Sequence, residues 1–148
     1  MIGRAAFVAA SAVCLAGTSV AKPVGCADHW KVELNRESFA HNGAGRNFTA
    51  AELTLFRARL DAQLKSAIAA GCRQGRVKEG DAKKIKRVQI SSASGANEPT
   101  LYLHARGSLA FEWAFAEEKL AIPPAKEILA GSACWTSPRS TDCLESGD

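Results

Sequence analysis

Histidine is scarce in this chain, and its three copies, His29, His41 and His104, sit in no metal-binding spacing. No His-x-x-x-His, no Cys-x-x-Cys and no carboxylate cluster accompanies them, which excludes the common zinc arrangements. Asp28-His29 is the nearest approach to a coordinating pair, and adjacent residues on an extended chain point to opposite sides. The sequence also lacks a Gly-x-Ser-x-Gly nucleophile turn, a Walker lysine and a dinucleotide glycine fingerprint, so no cofactor is expected. Aromatic residues make up 7% of the chain, and none falls among the basic residues between 73 and 87. Without aromatic platforms for bases, that run does not read as a nucleic-acid surface, and a formal charge of +4 is too mild to argue for one. There is no internal repeat, low-complexity tract or long linker. A length of 148 residues with 47% apolar content fits one globular domain with one core.

What is present begins with an unusual N-terminus. Arg4 precedes an uncharged run rich in Ala, Val and Leu over residues 5–17, and Ser19-Val20-Ala21 places small residues at −3 and −1. This is the three-part layout of a secretory signal. The run is shorter than the roughly 20 residues that span a bilayer. Residues 1–21 are therefore read as a signal peptide and residues 22–148 as the folded domain. The Ala-rich composition suggests a bacterial source, which would place the mature chain in the periplasm or the medium. Of five cysteines, cleavage removes Cys14 and leaves Cys26, Cys72, Cys134 and Cys143, an even set for an oxidising compartment. Lipidation at Cys26 is disfavoured, because the preceding Pro23-Val24-Gly25 is a poor lipidation box.

Trp30, Val32 and Leu34 alternate with charged residues, the period of a half-buried strand. Residues 35–48 read as a loop. A helix follows over 50–70. Thr49 and Glu52 match a capping box, with Phe48 and Leu53 as its hydrophobic staple. Leu53, Phe56, Leu60, Leu64 and Ile68 form one apolar stripe, and Gly71 offers a left-handed stop. Residues 73–84 read as a polar, basic connection. Strands are expected over 85–91, 100–104 and 108–115. A two-residue turn at Arg106-Gly107 would mix polar and apolar side chains on each face of the last hairpin. A three-residue loop over 105–107 instead pairs Leu103 with Leu109 and Leu101 with Phe111, with glycine at the left-handed position. Pro123-Pro124 opens a short helix that ends at Gly131.

The fold expected is α+β: one long N-terminal helix packed on an antiparallel sheet of about four strands, a short C-terminal helix and a disulfide-closed tail. In topology alone it is similar to the cystatins, one long helix wrapped by an antiparallel sheet; no cystatin-type inhibitory loop accompanies it. A chain that runs up the first strand and back down the helix brings Cys26 and Cys72 to one pole. Of three connectivities, Cys26–Cys72 with Cys134–Cys143 is preferred, worth about 4 and about 2.5–3 kcal/mol on the chain-entropy account.

Candidate chemistry is sparse. His104 opposite Ser108, with Glu112 on the same face, has the composition of a hydrolase set. In the expected register Glu112 pairs with Thr100, about 13 Å along the strand from His104, too far to orient the imidazole. Gly45 and Arg46, just ahead of the Thr49 cap, offer an anion site at the helix N-terminus; a loop whose cap is already satisfied is the plainer reading. The basic connection holds Arg73, Arg76, Lys78, Lys83, Lys84, Lys86 and Arg87, diluted by Glu79 and Asp81, and suits a partner protein or a polyanionic envelope component, against a merely solvated charge run. Trp135 and Pro138, inside the small Cys134–Cys143 loop, suit a rigid binding tip; alternatively Trp135 folds back onto the sheet. The function expected is an exported, non-catalytic binding or accessory domain, with inhibition of a secreted or periplasmic enzyme as one form of it. A small exported hydrolase using His104 or His29, or a subunit of an envelope assembly, are the alternatives.

Overall fold

The structure is a computed structural model that describes residues 25–41, 47–132 and 135. In chain order it contains β1 (Lys31–Leu34), α1 (Arg36–His41), α2 (Ala50–Arg73), α3 (Glu79–Lys84), β2 (Arg87–Ser92), β3 (Thr100–Ala105), β4 (Ser108–Trp113) and α4 (Ala125–Gly131). The fold is α+β, with a long helix on a four-stranded sheet and a short C-terminal helix. Among the described residues no helix is long and apolar enough to cross a membrane.

The sheet is mixed rather than wholly antiparallel. Its strand order is β1-β2-β4-β3. β1 pairs parallel with β2, and β2 pairs parallel with β4. Only β3 and β4 are antiparallel. The reason is the return path. At about 1.5 Å per residue, α2 carries the chain back over the sheet, so β2 starts at the pole where β1 starts. β4 then inserts between β2 and β3. It is the most deeply buried strand, with Ser108, Leu109, Ala110 and Phe111 all buried, and an interior position hydrogen-bonds both of its edges.

The hairpin register agrees with the face argument: Leu101 lies opposite Phe111 and Leu103 opposite Leu109. The three-residue loop expected over 105–107 is not what forms: the turn is the two residues Arg106-Gly107, Ala105 pairs with Ser108, and a register shift between Leu103 and Ala105 leaves His104 unpaired in the ladder and keeps the apolar faces matched. Gly107 takes φ 74° there.

Helix α2 starts as its sequence dictates. Glu52 N–H donates to Thr49 Oγ1 at 3.1 Å, and Thr49 N–H donates to Glu52 Oε2 at 2.8 Å. Leu53, Phe56, Leu60, Leu64, Ala67 and Ile68 are buried along one face. The helix does not stop at Gly71, however. It continues to Arg73, and the left-handed residue is Gly75, at φ 70°. Gly71 serves close packing instead: a Cβ there would lie 2.7 Å from a Leu129 methyl and 2.9 Å from a Val77 methyl.

Two stretches read as irregular are helical. Residues 36–41 form α1, which places Phe39 in the core against Phe56 and Phe115 at centroid distances of 5.7 and 6.3 Å. Ser38 fastens α1 to the sheet by accepting Ser92 N–H at 3.0 Å. Residues 79–84 form α3, with Ala82 buried. These short helices carry too few apolar residues to show a period, and what buries Phe39 comes from elsewhere in the chain, Phe56 and Phe115.

The predicted Cys26–Cys72 bridge is present, with the two Cα atoms 6.7 Å apart. Cys134 and Cys143 lie outside the described residues, and so does the pairing expected of them.

Candidate basic binding site

Four segments meet at the pole where β1, β2 and β4 begin: the start of β1, α3, the start of β2 and the β3–β4 hairpin. Lys31 N–H donates to the Lys86 carbonyl at 3.0 Å, and Lys86 N–H donates to the Gly107 carbonyl at 2.8 Å. Trp30 Nε1–H reaches the Ala82 carbonyl at 3.0 Å, which ties β1 to α3. His29 Nε2 lies 2.8 Å from the Ile85 carbonyl. A carbonyl only accepts, so His29 Nε2 carries its proton in this contact. Ladder pairing thus draws Arg106, at the tip of the β3–β4 hairpin, beside Lys86 and Arg87, and brings Lys31 up from β1.

Two adjoining clefts open there. One, of about 630 Å³, has Ile85, Leu103 and Trp135 as apolar wall and Lys84, Lys86 and Arg106 as basic wall, together with Asp81. The other, of about 500 Å³, is lined by His29, Lys31, Glu33, Lys86, Arg87 and Arg106. Lys86, Arg106 and Gly107 belong to both. A third cleft, of about 580 Å³, lies over the disulfide and includes His29, Arg73, Glu79 and Lys83.

The cations divide by partner. Lys83 meets Glu79 at 2.8 Å and Lys84 meets Asp81 at 3.1 Å. The Lys83 hydrogen bond and its charge hold the Glu79 carboxyl below the usual carboxylate range. Lys31, Lys86, Arg87 and Arg106 are exposed and make no ion pair among the described residues. Four such cations against one carboxylate, Glu33, in the lining of the cleft of about 500 Å³ leave a net positive potential over it.

The other sequence-derived candidates fall as follows. Arg73 and Lys83 line the disulfide cleft, and Arg76 is exposed in the turn after α2. Lys84 and Arg87 join the adjoining clefts. Thr49 is engaged in capping α2. Gly45, Arg46 and Pro138 lie outside the described residues. Trp135 is folded back and buried, with its ring 5.9 Å from Trp30. Lys31, Arg106, Ile85 and Leu103 were not singled out from sequence. Only the parallel strand order brings them to this pole, and no local pattern announces that order.

The hydrolase set does not assemble. Glu112 accepts the Tyr102 hydroxyl at 2.8 Å, while His104 is exposed in the irregular stretch before the turn. Among the described residues no group of three or more His, Cys, Asp or Glu is placed to hold a metal ion. Comparison with protein-family models, curated proteins and solved structures finds no match, so function is read from this chain's own residues.

Proposed function

We propose that this chain is an exported, non-catalytic binding domain that holds an acidic partner protein against its basic pole. The observation that carries the reading is the convergence of Lys31, Lys86, Arg87 and Arg106 from three separate parts of the sequence, without carboxylate partners among the described residues. The tertiary fold gathers like charges there at an electrostatic cost, which a binding role explains. The signal-like N-terminus and the Cys26–Cys72 bridge support export, because such a bridge persists in oxidising compartments. The bridge also occupies the sulfur that a lipid anchor at Cys26 would need. Inhibition of an exported enzyme is the form of binding this surface suits, since a charged pole on a stapled scaffold loses little entropy on docking.

The test is capture from the native exported fraction by the full-length mature chain and by a K31E/R87E/R106E variant. One stoichiometric protein, lost with the variant and weakened steeply by salt, supports the reading. Equal capture by both chains, or substrate turnover by the isolated domain, ends it.

A further inference from the structure

We infer that the cleft between Leu103 and Arg106 is a ligand site for an apolar body ending in a carboxylate. Leu103 carries the argument. Its register places it on the core face, directly opposite Leu109. Leu109 and Leu101 on that face are fully buried, yet Leu103 is 52% exposed. The cleft of about 630 Å³ lies over it, with Ile85 and Trp135 as further apolar wall. That volume suits a small organic molecule.

The polar part of the wall specifies the charge. Asp81, its carboxylate, already holds Lys84 at 3.1 Å. Lys86 and Arg106 make no ion pair among the described residues. Among the described residues the wall therefore carries three cationic side chains, Lys84, Lys86 and Arg106, against the single carboxylate of Asp81, beside the exposed Leu103. Such a site takes a group rich in acceptors joined to an apolar chain, and a carboxylate on an aliphatic or aromatic body has both. This deepens, and rests on, the reading of the pole as a binding surface. It names the chemistry that fills one part of it, whether a free acid or the C-terminus of a peptide with an apolar last residue.

The experiment is an NMR titration of the full mature chain, following the Trp135 indole N–H, assigned with W135F, and the Gly107 amide. The probes are octanoate, octanol, acetate and acetyl-Gly-Leu. Octanoate or acetyl-Gly-Leu is expected to shift both signals saturably, at least about tenfold more tightly than octanol or acetate. The tighter of the two identifies the source, free acid or chain terminus. R106Q and L103S should each weaken that binding about tenfold, with amide spectra showing that both variants remain folded. K31E/R87E, outside this cleft, should leave it within about threefold. Octanol binding as tightly as octanoate, or no saturable shift with either carboxylate, overturns the inference. Loss of partner capture in K31E/R87E/R106E with octanoate binding intact in K31E/R87E, or the reverse, separates this inference from the acidic-partner reading.

Discussion

The Trp30 indole meets the Trp135 indole edge to face, with ring centroids 5.9 Å apart and planes at 73°. This contact packs Trp135 against the residue that precedes β1. Trp30 in turn is held by its hydrogen bond to the Ala82 carbonyl. W135A should cost about 3–5 kcal/mol, as for other buried large-to-alanine changes. W135F should cost clearly less, because an aromatic edge remains. Urea unfolding of the three proteins checks this. Equal stability of W135A and wild type would mean that the contact contributes nothing.

The Cys26–Cys72 bridge closes a loop with a sequence separation of 46. On the chain-entropy account, C26A/C72A should lower stability by about 4 kcal/mol. The readout is the denaturant midpoint, together with peptide mapping of the wild type without reduction. Recovery of a Cys72–Cys134 peptide would contradict the bridge.

Tyr102 lies on the face of the sheet opposite α2, and its phenol is pushed up to about 12. Burial is the main cause; the hydrogen bond to Glu112 and its negative charge add to it. The neutral phenol is thus favoured in the folded state. Its contribution to stability is complete below about pH 10, the unfolded value, and is lost as pH rises towards 12. Ultraviolet titration of the single tyrosine should place its midpoint near 12. E112Q should lower that midpoint without restoring the ordinary value, because the burial remains. A wild-type midpoint near 10 would refute the account.

Backbone geometry separates two glycine substitutions by sign. A Cβ at Gly131 would run into the Pro99 carbonyl, and backbone cannot give way as a side chain can. G131A should cost about 1–3 kcal/mol. Lys119, by contrast, is exposed at φ 53°, where a side chain is strained by roughly 1–2 kcal/mol. K119G should therefore stabilise by about 1 kcal/mol, after glycine's own entropic cost. Thermal unfolding of both variants measures the difference.

Much of the fold was legible because it is local. The capping box at Thr49 and Glu52 and the stripe from Leu53 to Ile68 need only neighbours a turn apart. The pairing of Leu101 with Phe111 follows from burial on one face of a hairpin. The Cys26–Cys72 bridge followed from a strand and a returning helix. Short segments were not legible: α1 was read as loop because Phe39 is the one large apolar residue in its sequence, and Phe39 packs against Phe56 and Phe115 from elsewhere in the chain.

The candidate site divides along the same line. The sequence by itself determined a run of basic residues from Arg73 to Arg87 and two strands with one apolar face each. Only the tertiary structure decided that β4 enters the sheet between β2 and β3, which sets Arg106 and Leu103 beside Lys86 and carries Lys31 to the same pole. Alternation in a strand specifies which side chains face the core. It does not specify which strand lies alongside, because backbone hydrogen bonds are the same for every neighbour and the choice is made by the burial of the whole sheet.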